Sequence, residues 1–190
     1  NKTYYSSPVQ IPGSNWKYLG GVRNCMNAIK TDGTMWGWGG EGIALGLNNQ
    51  TYYSSPVQIP GTTWDSCVCS GSNGMGHKTD GTLWSWGNNG NGRLGLNQTD
   101  NTMLRSPVQI PGSWSNKFSF KNSGKNSFAI KTDGTLWAWG FNSNRELGDL
   151  TNTQRSSPVQ LGSATNWYQV SCAGYIGAKA FKAALTPSQL

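Results

Sequence analysis

Apolar residues fall in short runs broken by Gly, Pro, Asn and Asp along the 190-residue chain. No stretch holds a 3.6-residue apolar period long enough for a helix, which excludes a helical solenoid. The runs recur instead. Ser-Pro-Val-Gln occurs four times, at Pro8, Pro56, Pro107 and Pro158, separated by 48, 51 and 51 residues. Lys-Thr-Asp-Gly-Thr occurs three times, at Asp32, Asp80 and Asp133. A Trp-x-Trp-Gly follows each, at Trp36/Trp38, Trp84/Trp86 and Trp137/Trp139. Trp16, Trp64, Trp114 and Trp167 complete the set, so all ten tryptophans sit at repeat positions.

One unit reads strand by strand. Ser-Pro-Val-Gln-Ile is expected to begin a first short strand, since Pro8 lacks an N–H and suits a strand start or an edge. Pro12-Gly13 is a turn. Trp16 to Val22 is the second strand and Ala28 to Thr31 the third. Asp32-Gly33 is a hairpin signal for a two-residue type I′ turn. Thr34 to Trp38 returns as the fourth strand, with Trp36 and Trp38 on one face. A Gly/Asn-rich loop with Leu45-Gly46 leads to the next unit; Leu94-Gly95 and Leu147-Gly148 stand in its counterparts.

Four strands per roughly 50 residues is the period of a β-propeller blade. The expected fold is therefore all-β, a propeller of four-stranded blades over residues 1–190. The units span about 4–51, 52–102, 103–153 and an incomplete 154–190. Trp36, Trp38, Trp84, Trp86, Trp137 and Trp139 are expected to fill the seams between blades, each buried ring contributing roughly 1.5–3 kcal/mol. The last unit stops before any Trp-x-Trp-Gly. Its Ala184 to Leu190 would replace the Ala-Ile-Lys-Thr-Asp-Gly-Thr-Leu segment, and the stretch 177–185 is compatible with one or two helical turns. Both ends look cut from a longer array, so the remainder of a longer chain or a second copy is expected to complete the propeller.

Composition narrows the function. Charged residues make up 12%, about half the usual share, while 26 Gly and 10 Trp fit short strands and tight turns. The net charge of +7 rests on 15 basic and 8 acidic residues. These are scattered apart from Lys117, Lys121, Lys125 and Lys131, so no nucleic-acid footprint emerges. No apolar run approaches the roughly 20 residues of a membrane span.

The search for chemistry finds little. One histidine, His77, leaves no His-based zinc site or triad and reads as a hairpin residue, solvent-facing or half-buried. Asp32, Asp80 and Asp133 are explained by their turns. Glu41 and Glu146 have no evident partner carboxylate. Gly124-Lys125-Asn126-Ser127 lacks the phosphate-loop spacing, and the glycines after the Trp pairs lack a βαβ context. No catalytic residue, metal or cofactor is assigned. Cys25, Cys67, Cys69 and Cys172 are expected to be buried thiols packing as small hydrophobes, with disulfide use as the alternative. Asn1-Lys2-Thr3, Asn49-Gln50-Thr51 and Asn97-Gln98-Thr99 match the glycosylation acceptor pattern on loops.

Ser-Pro-Val-Gln, then Trp, then Ala-Ile-Lys-Thr-Asp-Gly-Thr-Leu-Trp-Ala-Trp-Gly, then Leu-Gly resembles the repeats of the regulator of chromosome condensation family. The likeness is fullest from Pro107 to Gly148 and covers nearly the whole chain. It implies a seven-bladed propeller, about twice this length. It does not fix a function, because the family includes exchange factors for a small GTPase, ubiquitin-ligase scaffolds, enzyme inhibitors and a light receptor. The usual His five residues before the Lys is Cys25, Asn73 or Asn126 here. The exchange factors' wedge-like insertion and the light receptor's Gly-Trp-Arg-His-Thr are not visible.

The expected role is a non-catalytic binding or structural module for a protein partner, on a virion or phage appendage or a secreted surface. The alternative is a regulatory propeller acting on a small GTPase or chromatin as a nucleotide-exchange factor. Loops that vary on a repeated scaffold are where contacts concentrate. Tyr52, Tyr53, Arg93, Asn101 and Arg145 are the contact candidates.

Overall fold

A computed structural model describes residues 6–22, 25–40, 42–70, 72–98, 101–115, 120–122, 124–172 and 178–183. Three four-stranded antiparallel sheets follow one another along the chain. The first holds β1 (Trp16–Val22), β2 (Cys25–Lys30), β3 (Met35–Trp38) and β4 (Val57–Ile59) in that order. The second holds β5 (Trp64–Cys69), β6 (Asn73–Lys78), β7 (Leu83–Asn88) and β8 (Met103–Ile110). The third holds β9 (Phe120–Asn122), β10 (Asn126–Ile130), β11 (Leu136–Gly140) and β12 (Arg155–Gln160). A two-stranded sheet of β13 (Trp167–Cys172) and β14 (Ala178–Lys182) ends the series.

The sheets and the sequence units differ in phase. Ser-Pro-Val-Gln does not open a blade. It lies outermost on the preceding one, with Val57 against Gly37, Val108 against Ser85 and Val159 against Ala138. The proline ring thus sits on an edge strand, where a missing N–H breaks no ladder. The stretch around Pro8 has no such Trp-x-Trp strand before it among the described residues. It forms no strand, and Val9 is left 60% exposed. The Gly/Asn-rich loops are therefore third-to-fourth-strand connections within a sheet, not links between blades.

The Asp-Gly hairpin also differs from its expected type. Gly33 N–H bonds Lys30 C=O and Lys30 N–H bonds Thr34 C=O. Only Gly33 takes positive φ there, at 79°. This is a three-residue loop, a type I turn closed by a left-handed glycine. Asp32 stays out of the left-handed region, and its carboxylate accepts from Thr34 N–H at 2.9 Å and Thr34 Oγ at 2.7 Å. Thr34 Oγ in turn accepts from Trp36 Nε1 at 2.9 Å. The same Asp–Thr–Trp chain recurs at Asp80–Thr82–Trp84 and Asp133–Thr135–Trp137. A lysine caps each first Trp: Lys30 on Trp36, Lys78 on Trp84 and Lys131 on Trp137, at 4.3, 4.3 and 3.7 Å. One motif thus supplies turn, hydrogen-bond chain and cation–π cap.

The paired tryptophans have unequal duties. Trp86 and Trp139 are fully buried, whereas Trp36, Trp84 and Trp137 are half-buried at the rim. Trp86 Nε1 donates to Ala44 C=O of the first sheet, and Trp139 Nε1 to Arg93 C=O of the second, at 2.9 and 3.0 Å. Leu-Gly receives each ring. Leu45 and Leu94 are buried, and a Cβ on Gly46 or Gly95 would stand 3.1 or 2.7 Å from the indole. Trp38 meets no preceding sheet among the described residues and stays half-buried.

The last unit corrects its expected register. Trp167 pairs with Lys182, as Trp16 pairs with Lys30 and Trp64 with Lys78. Ala180-Phe181-Lys182 therefore replaces Ala28-Ile29-Lys30, and Lys182 caps Trp167 at 4.8 Å. The stretch expected to allow helical turns is a strand over Ala178–Lys182. Ala184 to Leu190 lies outside the described residues.

Candidate interaction surface

Antiparallel order sends the Asp-Gly hairpins to one end of every sheet and the long third-to-fourth-strand loops to the other. The hairpin end is cross-braced. Gly33, Gly81 and Gly134 carbonyls accept from the backbone N–H of Trp64, Trp114 and Trp167 in the next sheet. Asp32, Asp80 and Asp133 all lie below the usual carboxylate range, because the Thr hydroxyl and N–H two residues on stabilise the charged form. These carboxylates complete turns and are committed there.

The loop end is built differently in each sheet. The first loop carries a short helix, α1 (Gly42–Leu45). The second carries a 3-10 turn over Gly90–Gly92. Two buried asparagines, unforeseen from sequence, hold the second and third loops. Asn89 Oδ1 accepts from Leu94 N–H and its amide donates to Gln98 C=O, at 3.2 and 3.1 Å. Asn142 does the same with Leu147 N–H and Thr153 C=O, at 2.9 and 3.1 Å. The signal was their place five residues before the Leu of Leu-Gly. Asn142 also reaches Asp149, which pairs with Arg155 at 2.9 Å. Burial opposes the Asp149 charge, but bonds from Thr151, Arg155 and Asn142 outweigh it and bring its pKa down to about 2.

The five contact candidates separate. Tyr52 is 65% exposed, and Asn101 and Arg145 are exposed on the same end. Tyr53 is half-buried: its hydroxyl accepts from Asn49 at 2.9 Å and its ring packs on Cys25, Leu45 and Cys69. Arg93 is a seam residue. Its guanidinium donates to Gly90 C=O at 2.6 Å and Gly124 C=O at 2.5 Å, while its own carbonyl receives Trp139 and Ser127. Asn49, one of the acceptor-pattern asparagines, spends its amide on Leu47 C=O and Tyr53. Asn97 is exposed; Asn1 to Thr3, Thr99, Glu41 and Lys117 lie outside the described residues.

Two expectations about reactive groups are corrected. Cys25 and Cys69 are not free thiols. They form a disulfide between the first and second sheets, Cα atoms 6.3 Å apart. Cys67 is free and buried, and burial pushes its thiol pKa up. His77 is neither solvent-facing nor half-buried; it is 2% exposed and its Nε2 donates to Trp114 C=O at 3.1 Å. It occupies the position of Ile29 and Ile130, both buried. Among the described residues no group of three His, Cys, Asp or Glu could hold a metal ion. No helix there is long and apolar enough to cross a membrane.

His77 gives a pH signature. Burial lowers its pKa, against the opposing pull of the Trp114 carbonyl, Asp65 and Asp80. The unfolded chain then binds the proton more readily, so stability falls as pH drops below about 6.5 and levels off below the folded pKa. It is the sole histidine of the chain. His77→Ile is expected to flatten denaturation midpoints between about pH 6.5 and 5, above the window of the lowered aspartates. A slope unchanged by the substitution would show that His77 is not its source.

The family model described as regulator of chromosome condensation (RCC1) repeat matches residues 80–121 and 133–178. No curated protein sequence matches the chain. Among solved structures, human WBSCR16 superposes with a TM-score of 0.80 at 19% identity, over 94% of this chain and 48% of that one. Saccharomyces cerevisiae Prp20p, studied for its binding to Gsp1p and histones, gives 0.78 at 14%, over 92% and 45%. Yeast RCC1 (Prp20) bound to Kap60 gives 0.77 at 15%, over 92% and 44%. At these identities the likeness is one of fold, and the chain spans a little under half the length of each. Residues 80–121 and 133–178 are thus regulator of chromosome condensation repeats, and the chain as a whole has the fold of a partial β-propeller built from them.

Proposed function

We propose that the chain is a non-catalytic propeller module that holds a protein partner on its loop end, displayed on an extracellular or virion surface. The observation that carries this reading is the contrast between the two ends. The hairpin end spends its Lys, Asp and Trp groups on itself, while the loop end leaves Tyr52, Asn101 and Arg145 exposed on clamped loops. Exposed aromatic and Arg side chains on rigid loops are the usual anchors of protein interfaces. The Cys25–Cys69 disulfide supports the surface assignment, because such bonds persist in oxidising compartments. Likeness in fold to Prp20p, studied with Gsp1p, favours a second reading as a small-GTPase regulator.

Capture from the native source, read by mass spectrometry, tests both. A Tyr52→Ala, Arg145→Glu variant is expected to lose the partner at least tenfold, while Lys78→Ala at the hairpin end retains it. Capture indifferent to the loop-end pair would overturn the site. A captured small GTPase whose nucleotide release the chain accelerates would establish the second reading instead.

A further inference from the structure

An open pocket of about 320 Å³ lies between the second loop and β12 of the next sheet. Asn91, Gly92, Asn101, Gln154 and Ser156 line it. Among the described residues its side chains are amides and a hydroxyl, without charge, and its surface is more polar than apolar. Among the described residues, the amides of Asn91, Asn101 and Gln154 have no hydrogen-bond partner. The floor is fixed. Asn91 and Gly92 are both left-handed, at φ 65° and 69°, and a Cβ on Gly92 would come within 2.5 Å of Ser156 Cα. Asn97 N–H holds Ser156 C=O at 2.8 Å, and buried Asn89 holds the loop from within.

This lining selects by chemistry. An anion would need a cationic side chain in the wall and a metal ion would need carboxylates; among the described residues the wall has neither. An apolar ligand would leave the three amides without partners. An extended peptide adding to the β12 edge would compete for the Ser156 carbonyl that Asn97 already occupies. A side-chain amide presents one acceptor and two donors side by side, which matches adjacent hydroxyl groups. The volume is at the small end of ligand pockets.

We propose that this pocket binds a neutral polyhydroxylated ligand, a sugar residue of a glycan, through Asn91, Asn101 and Gln154. The proposal does not rest on the protein-partner reading. Because the pocket is open and three amides carry the recognition, binding is weak, with Kd on the order of 1 mM.

The test is NMR titration of isotope-labelled protein with glucose, galactose, mannose and N-acetylglucosamine, each to tens of millimolar. At least one is expected to shift the signals of Asn91, Gly92, Asn101 and Gln154 saturably. Asn101→Ala with Gln154→Ala should weaken that response at least tenfold. Both residues are exposed, so the melting temperature should not change. As a second variant, Gln154→Arg is expected to occlude the pocket without a change in melting temperature, since Gln154 is exposed. Absence of any saturable shift, shifts confined to other residues, or binding that survives both variants would overturn the proposal. So would a response to inorganic sulfate or a short extended peptide without one to the sugars. Capture of a protein partner is read with Tyr52 and Arg145, which do not line the pocket, so the two readings fail separately.

Discussion

Trp86→Ala should cost about 3–5 kcal/mol of stability, the range for truncating a large buried aromatic. For a chain of this size that is a fall of roughly 6–20 °C in melting temperature. Three losses coincide. The indole is fully buried among Ile29, Met35, Ile59, Trp64 and Cys67, so its removal leaves a cavity at the seam of two sheets. The edge-on contact with Trp64, centroids 6.2 Å apart, disappears. The Ala44 carbonyl loses the donor that Trp86 Nε1 supplies. Trp84→Ala should cost clearly less, since that ring is half-buried and its donor is satisfied within its own hairpin. The seam can also be tested from its other side. Gly95 and Gly148 have nearly equal positive φ, 74° and 76°, but an added Cβ meets Trp139 at 2.7 Å in the first and nothing within 4 Å in the second. Backbone strain cancels between Gly95→Ala and Gly148→Ala, leaving about 1–3 kcal/mol of overpacking in the first alone. Thermal melts of all four variants check this. Equal effects at the two tryptophans, or at the two glycines, would contradict the seam as described.

The repeat, the all-β class and the tryptophan seams were legible because each blade must bury the same face against the next. Period does not contain phase. A 50-residue repeat reads the same wherever a unit is said to begin, and only strand pairing places Val57–Ile59 beside Trp36 rather than ahead of Trp64. The turn type was hidden for a local reason: Asp32 bonds Thr34, which leaves positive φ to Gly33 alone. Nothing in the repeat set a partner beside Cys69. The actual partner, Cys25, stands at a different place in the adjacent sheet, opening β2 where Cys69 closes β5. Among the contact candidates, Tyr52 and Arg93 look alike in sequence as loop residues. Only the packing shows that Arg93 reaches Gly124 in the next sheet, while Tyr52 stays largely exposed.

The disulfide carries the second large effect. Cys25 and Cys69 are 44 residues apart in sequence and both fully buried. Closing a loop of that length removes enough entropy from the unfolded chain to stabilise the fold by about 4 kcal/mol in the chain-entropy model. The bond adds to the ties between two sheets that also share the Lys17–Asp65 pair at 2.8 Å, half open to water, the Gly33–Trp64 backbone bond and the Trp86 seam. Cys25→Ala with Cys69→Ala is therefore expected to lower the melting temperature by roughly 8–16 °C. Reductant should reproduce that fall in the parent protein and leave the double variant unmoved. Cys67 is an internal control, because its buried thiol, with its pKa pushed up, should resist alkylation until the chain unfolds. Peptide mapping after alkylation without reductant should find Cys25 and Cys69 unlabelled and joined. Labelling of both in folded protein, or a melting point indifferent to reductant, would remove the bond. With it would go the support it lends to an oxidising location.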